Sequence, residues 1–305
     1  MTLALSVVVV YYDMAREIDR TLRTLSPEYQ RGVSASDYEV IVVDNGSPTQ
    51  LDPAVVARFP GRIRSIRIDP APPSPALAAN RGIDMAEGDL IGLLIDGARM
   101  VSPGLLANAL LASRLAARPV VATLAWHLGD AVHMRAHEVG YDHVVEDRLL
   151  ARAQWEVDGY RLFDISTLGG SSNHGWFGPL GESNGLFLTR EMWADLGGLD
   201  LRFELPGGGR VNHDLYRRAC ALEDARLVLL LGEGTFHQIH GGAWTSGNFG
   251  QKVANEEYEA IRGERFTRPE SEPLFLGTVP PQTLRHLEQS ISQAIERRGD
   301  TGGLT

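Results

Sequence analysis

Short runs of β-branched residues alternate with helix-like stretches through the first hundred residues of this 305-residue chain. Such alternation is typical of βαβ units, in which parallel strands form a sheet and the intervening helices cover its faces. The apolar runs predict strands at residues 6–10, 39–43, 63–68 and 90–95, and helices at 14–25, 53–59 and 76–86. The pattern therefore predicts a Rossmann-like α/β fold with a mostly parallel central sheet flanked by helices.

The pattern becomes weaker between residues 120 and 161, where only the start of the segment resembles a strand. Farther along, it predicts strands at 184–188 and 227–231 and helices at 190–196 and 214–221, with Asn212 as the N-cap of the second helix. We find no linker that would separate two domains, so a single elaborated domain is expected.

The C-terminal tail has apolar residues at three- and four-residue spacing, which predicts an amphipathic helix within residues 280–298. The stripe consists of Leu284, Leu287, Ile291 and Ile295. This helix is expected to pack on the body of the protein or on a second subunit, and the second arrangement would make a homodimer.

The charge balance excludes one class of partner. With 29 Lys and Arg against 39 Asp and Glu, the formal net charge is -10. Binding to nucleic acid depends on clustered basic residues, so we expect no nucleic-acid partner. The apolar N-terminus is too short to span a bilayer and lacks the features of a signal peptide, which predicts a soluble, cytoplasmic protein without a transmembrane segment.

Two predicted strands end in an aspartate, Asp44 after the second and Asp96 after the fourth. In an open parallel sheet, ligands bind beyond the carboxyl ends of the strands. Asp44 could accept hydrogen bonds from a base or a ribose, and Asp96 could bind a ribose, a sugar or a metal. Both could equally be turn residues, since Asp-Asn-Gly is good turn chemistry by itself.

Three segments carry a resemblance to a known family: VVVVYYD at the first strand, VIVVDNGS at the second, and LAANRGIDMAEGDLIGLLIDGA across the third helix and fourth strand. They resemble family 2 glycosyltransferases of the GT-A fold, in order and in spacing, with a weaker echo in GGLDLRF and NHDLYRR. The resemblance covers the first 110 residues well. It implies inverting transfer of a sugar from a nucleoside diphosphate sugar, most commonly a UDP-sugar, to a hydroxyl of an unknown acceptor.

The resemblance also suggests roles for parts of the chain. Residues 1–110 would be the nucleotide-sugar-binding half, 111–275 the acceptor-binding and catalytic half of the same domain, and 276–305 the C-terminal helix and tail. In such a family, the aspartate matching Asp44 contacts the nucleotide base and the helix carrying Asn80 lies beside the diphosphate. Tyr11, at the end of the first strand, would also line the donor site.

The sequence departs from the family where a metal motif of two aspartates is usual, because it has Asp96-Gly97-Ala98-Arg99. A divalent ion, Mn²⁺ or Mg²⁺, would then need further ligands, for which His237 and His240 are candidates. Alternatively, Arg99 neutralises the diphosphate directly and the enzyme depends less on metal.

Inverting transfer needs a general base, and the resemblance implies an acidic residue near the start of the helix at 214–221. Asp214 is the first candidate, with His213 and Glu182 as replacements. The alternative for Asp214 is a first-turn acid favoured by the helix dipole. The glycine-rich loop around Trp176 could line the sugar pocket, although Trp176 could equally be a core residue.

Two other functions remain open. A nucleotidyltransferase has a similar half-domain, but it opens with a glycine- and lysine-rich loop, and no glycine follows the first strand here. A non-catalytic nucleotide- or carbohydrate-binding protein would explain the missing second aspartate of the metal motif.

Overall fold

A computed structural model describes residues 3–133, 140–241 and 250–301, with side chains described up to residue 298. Its centre is a ten-stranded mixed sheet in the order β10-β9-β6-β8-β4-β1-β2-β3, with β5 paired to β9 and β7 to β6. The strands are β1 Leu5–Tyr11, β2 Tyr38–Asp44, β3 Arg62–Arg67, β4 Leu90–Leu94, β5 Arg99–Val101, β6 Arg118–Leu128, β7 Ser166–Leu168, β8 Leu186–Thr189, β9 Ala225–His237 and β10 Leu274–Gly277.

Nine α-helices lie in the described residues and cover the sheet. They are α1 Ala15–Thr24, α2 Pro53–Ala57, α3 Ala76–Met85, α4 Leu105–Ala112, α5 His143–Ala153, α6 Arg190–Leu196, α7 Val211–Cys220, α8 Gln251–Arg262 and α9 Leu284–Thr301. None of the helices in this part of the chain is long and apolar enough to cross a membrane.

Along the main order of eight strands, the sheet is parallel on both sides of β8, and the short β5 and β7 pair antiparallel with β9 and β6. β3, β2, β1 and β4 run parallel, as do β6, β9 and β10, whereas β8 is antiparallel to both β4 and β6. Because β1, β2 and β4 run in the same direction, Tyr11, Asp44 and Leu94 all mark the same edge of the sheet.

Each face of the sheet has its own apolar core, as the twofold periodicity of strands requires. In β1, Val7 and Val9 point to the face covered by α1 and α4, and Val8 and Val10 point to the face covered by α3. All four valines are at most 1% exposed.

The predicted α/β fold is confirmed, and the seven elements predicted before residue 96 are all present within a few residues. The short β5, β7 and β10, as well as α4 and α5, were not predicted. The strand predicted at 227–231 continues to His237 because β9 pairs with β6 along most of its length. His237 is therefore the last residue of this strand, and His240 follows in the chain after it.

One detail of the predicted helices is wrong: Asn212 is not an N-cap, because α7 begins at Val211 and its cap position is Arg210. In the apolar stripe of the C-terminal helix, Leu287 packs against the core, whereas Leu284, Ile291 and Ile295 are 51%, 44% and 66% exposed. The packing of this stripe on a second subunit stays a prediction.

Candidate functional site

A cleft of 1110 Å³ lies at the carboxyl ends of β1, β2 and β4 and extends to α7 and the end of β9. Both halves of the chain supply charged and aromatic side chains to its wall: Tyr11, Arg67, Asp96, Arg99, His127, His133, Glu182, Arg210, His213, His237, His240, Phe266 and Arg268. Its size is sufficient for a nucleotide-linked ligand.

Asp44 lies at the predicted edge, but its carboxylate is already engaged. Its Oδ1 accepts a hydrogen bond of 2.7 Å from the Ser47 N–H, and its Oδ2 accepts one of 2.6 Å from Nη1 of Arg67. Arg67 lines the cleft, whereas Asp44 is 5% exposed. Asp44 thus orients a cation at the wall, and burial together with the Asp44 charge raises the pKa of the neighbouring Tyr11 hydroxyl.

Asp96, His237 and His240 form a cluster whose possible ligand atoms all lie within 4.8 Å of one another. Asp96 Oδ2 is 2.8 Å from His237 Nε2 and 3.8 Å from His240 Nε2, and the two Nε2 atoms are 3.0 Å apart. Metal-to-ligand distances of about 2.0–2.2 Å place neighbouring ligand atoms at about this separation. The three residues therefore fit a divalent ion, with a histidine pair in place of the second aspartate.

Electrostatics in this cluster favour the metal-binding protonation states of Asp96 and His237 but not of His240. Burial alone would raise the pKa of Asp96, but the two histidines hold it well below its usual range. Burial lowers the pKa of His237 to about 3, so its ring is neutral at pH 7. For His240 the Asp96 carboxylate outweighs burial and raises the pKa, so a proton competes with a metal at that ring.

Arg99 is a buried cation beside this cluster. It is 7% exposed, and its Nε and Nη1 atoms lack hydrogen-bond partners among the described residues. The Asp96 carboxylate lies 3.7 Å from Nε. Burial lowers the pKa of Arg99, although guanidinium groups stay charged in proteins. Since buried N–H groups without acceptors are costly, this guanidinium is available to donate hydrogen bonds to an anion in the cleft.

Glu182 and His213 meet at another part of the cleft wall. Glu182 Oε2 accepts a hydrogen bond of 2.7 Å from the Asn212 amide and lies 3.3 Å from His213 Nδ1. Burial would raise the pKa of Glu182, but His213, Asn212 and Arg99 together lower it. Burial lowers the pKa of His213. At neutral pH the cleft thus presents a carboxylate beside a neutral imidazole.

Asp214, the first candidate base, lies outside this cleft. It is 1% exposed, and Arg262 donates to both of its oxygens, at 2.6 and 2.7 Å. Arg218 donates a third hydrogen bond of 2.8 Å. These contacts make it a buried ion-pair residue between α7 and α8.

Asn80 and Trp176 also lie away from the cleft. The Asn80 amide donates to the Leu199 carbonyl and accepts from the Leu199 N–H, at 2.9 and 2.8 Å, so it fastens α3 to the loop after α6. Trp176 is 1% exposed, packs against Trp126 and donates through Nε1 to the Leu230 carbonyl. Trp176 is a core residue.

Several wall residues were not predicted. Arg67 had a usable signal, because a third parallel strand beside the second places its last residue next to Asp44. His127 and His133 fall in the weakly patterned segment, and Arg210, Phe266 and Arg268 lie in irregular chain. No spacing in the sequence distinguishes them from surface residues.

Comparison with known proteins assigns this edge of the sheet. The model of glycosyl transferase family 2 matches residues 6–109. The match covers less than half of the chain. This family 2 segment contains Asp44, Asp96 and Arg99, and the predicted resemblance to family 2 glycosyltransferases is confirmed over these residues. No curated protein matches the sequence significantly.

Solved structures agree on the GT-A fold. S. aureus TarS 1-349 in complex with UDP-GlcNAc has a TM-score of 0.56 at 13% identity, covering 85% of this chain and 65% of that one. A mannosyltransferase from Pyrobaculum calidifontis, in complex with GDP-Man and Mn²⁺, has a TM-score of 0.50 at 14% identity, covering 100% and 76%. GalNAc-T7 with UDP, GalNAc and Mn²⁺ has a TM-score of 0.51 at 14% identity, covering 78% and 44%. This chain thus spans just under two thirds of the TarS 1-349 structure, and such identities support the shared fold alone.

Proposed function

We propose that this protein is a metal-assisted glycosyltransferase that moves a sugar from a nucleoside diphosphate sugar to an acceptor hydroxyl. One observation carries the proposal: the Asp96, His237 and His240 cluster lines the same cleft as the Arg99 guanidinium, whose Nε and Nη1 make no hydrogen bond to the described residues, at the edge of a family 2 segment. Together they suit a diphosphate, whose negative charge can be bound by a divalent ion and by a guanidinium group. The UDP-sugar and GDP-sugar complexes of the structural neighbours support the same class of donor.

Three residues would hold the metal, Mn²⁺ or Mg²⁺: Asp96, His237 and His240. When bound, the ion would neutralise charge on the departing diphosphate. Arg99 would bind a phosphate oxygen from the protein side. Arg67, oriented by Asp44, would add a second fixed cation at the nucleotide end, where Tyr11 lines the wall.

Glu182 is the proposed general base. The acceptor oxygen attacks the anomeric carbon, the bond from that carbon to the diphosphate oxygen breaks, and the acceptor proton passes to the Glu182 carboxylate. Attack from the face opposite the leaving group inverts the anomeric centre. Glu182 suits this role because it is ionised, lines the cleft and lies close enough to Arg99 for that cation to lower its pKa. His213, whose Nδ1 lies 3.3 Å from Glu182 Oε2, would accept a hydrogen bond from the proton that Glu182 gains.

A thermal-shift panel tests the donor class. UDP-, GDP- and dTDP-sugars are each added with Mn²⁺ and with a chelator, since a ligand that binds only the folded state raises the melting temperature. We expect one nucleotide series to stabilise the protein with Mn²⁺ and to lose most of that effect in the chelator. Asp96→Asn is the matched control and should lose the Mn²⁺-dependent part. No shift with any sugar nucleotide would overturn the proposal.

Turnover is tested with the donor that the panel selects. Release of the nucleoside diphosphate, by hydrolysis or by transfer, separates an enzyme from a protein that only binds the donor. The anomeric configuration of the released or transferred sugar, read by NMR, tests inversion. Binding without any release would favour the non-catalytic alternative.

A further inference from the structure

We propose that His133 is a positioning residue that fixes the tautomer of His237, so that the Nε2 lone pair of His237 points at the metal position. The inference rests on the proposed metal site. It is carried by an unbroken row of three contacts, which runs from a backbone carbonyl through two imidazole rings to the Asp96 carboxylate.

The row begins at the end of β6. His133 is 1% exposed, and its Nε2 lies 2.9 Å from the Leu128 carbonyl oxygen. Its Nδ1 lies 2.8 Å from Nδ1 of His237. His237 Nε2 then lies 2.8 Å from Asp96 Oδ2 and 3.0 Å from His240 Nε2.

Each contact determines where the next proton lies. A carbonyl oxygen can only accept, so the proton of a neutral His133 is on Nε2, and its Nδ1 carries a lone pair. His237 must then donate through Nδ1, which leaves the lone pair of a neutral His237 on Nε2. That lone pair faces Asp96 and His240, where the carboxylate would repel it unless a proton on His240 or a metal ion lay between them. The tautomer required for metal ligation is therefore set from the side away from the metal.

His127 supports the position of His133. Its Nδ1 accepts a hydrogen bond of 2.8 Å from the His133 N–H, and its ring lies against His133. Tyr141 stacks on His133, with ring centroids 5.5 Å apart and planes at 24°. These contacts with His127 and Tyr141 restrict rotation of the His133 ring.

A rival interpretation is a second metal site, since His127, His133 and His237 also bring their nitrogens within 4.8 Å. The contacts oppose it. Both nitrogens of His133 already take part in the row, and His127 Nδ1 accepts from the backbone. An ion at these three rings would have to break the bonds that order them.

The test compares two substitutions of His133 by titration with Mn²⁺ and Co²⁺ in the calorimeter. His133→Phe keeps an aromatic ring but removes the acceptor, and we expect metal affinity to fall about 10- to 100-fold. His133→Asn places an amide oxygen near the position of Nδ1 and should recover most of the affinity. Tyr141→Phe is the control, because it keeps the stacking ring and lies outside the row, and it should bind metal as the wild type does.

A second readout needs neither metal nor turnover. The metal-free protein is labelled with ¹⁵N-histidine and studied at about neutral pH. Two-bond ¹H–¹⁵N correlations then identify which ring nitrogen of each histidine carries the proton. We expect His237 to be protonated at Nδ1 in the wild type and in His133→Asn, and to become a mixture of tautomers in His133→Phe.

The outcomes separate this inference from the proposed function. If the wild type binds no metal, the metal site of the proposed function fails. If the wild type binds one ion and His133→Phe binds it equally well, or if His237 carries its proton on Nε2, the positioning role is refuted. Two ions per chain would establish the second metal site in its place.

Discussion

Replacing Asp214 by Asn separates a structural role from a catalytic one, because the substitution removes the charge and keeps the shape. In the structure this carboxylate receives three charge-assisted hydrogen bonds, two from Arg262 and one from Arg218. The variant leaves both guanidinium groups with a neutral amide that can accept through only one oxygen.

The size of the effect follows from burial. Removing one partner of a buried ion pair costs about 3–5 kcal/mol. Here the carboxylate is buried, but the side chains of Arg218 and Arg262 are 25% and 21% exposed, so water replaces part of the lost interaction. We therefore expect a loss of about 2–3 kcal/mol in the free energy of unfolding. For a chain of this length that corresponds to a decrease in Tm of about 5 °C.

The assay measures thermal melting and turnover for two variants, Asp214→Asn and Glu182→Gln. Asp214→Asn should have a lower Tm than the wild type. Measured about 20 °C below that Tm, its kcat should stay within about threefold of the wild-type value, since Asp214 does not reach the cleft. Glu182→Gln should do the opposite. Its Tm should stay within about 2 °C of the wild type, since the amide still accepts from Asn212, and kcat should fall on the order of a hundredfold or more.

Refutation takes a specific form. If Asp214→Asn melts normally and loses a hundredfold in kcat, the aspartate of α7 is the base and the ion-pair role is wrong. If Glu182→Gln turns over normally, the base is another group, and His213→Asn becomes the next variant to assay.

Three further predictions concern single residues. Arg99→Gln should weaken donor binding by about 10- to 100-fold in calorimetry, the worth of one charge-assisted hydrogen bond, without lowering Tm, and unchanged affinity would exclude a diphosphate contact. Asn80→Ala should lower the free energy of unfolding in denaturant by about 1–3 kcal/mol, because it loses two hydrogen bonds to Leu199, and should leave donor affinity unchanged. Weaker donor binding at normal stability would show instead that Asn80 contacts the donor. Burial raises the pKa of Glu233 from 4.5 to about 7, so the unfolded state ionises first and stability should fall as pH rises between those values, by about 3 kcal/mol. Denaturant titrations of Glu233→Gln should lack this decrease, and parallel pH profiles for the two proteins would contradict the assignment.

The N-terminal half could be predicted because its local patterns agree with its final packing. β1, β2 and β4 are buried on both faces and consist almost wholly of apolar residues, and each ends at a polar turn. The edge carrying Asp44 and Asp96 follows directly from the parallel order of these strands.

The details of the site depend on contacts across long sequence separations. Asp44 is a nucleotide contact in the resemblance, but its carboxylate binds Arg67 in the structure. The sequence makes Asp214 a candidate general base, but in the structure α8 places Arg262, 48 residues farther along the chain, against its carboxylate. His133 has no motif, because only the fold places it against His237.

β8 has a consequence for how the chain assembles during synthesis. It is the neighbour of β4 in the sheet, yet it is made about ninety residues later, after β5, β6 and β7. Until it arrives, the parallel N-terminal half has an open hydrogen-bonding edge at β4, which is the kind of edge that invites pairing with another chain. The sheet and the site are completed later still, because β5 pairs with β9, and β9 is also the strand that carries His237. The family 2 segment alone would thus lack both the strand that covers the β4 edge and the two histidines of the proposed metal site, so binding of the proposed metal would report that the nascent chain has finished folding.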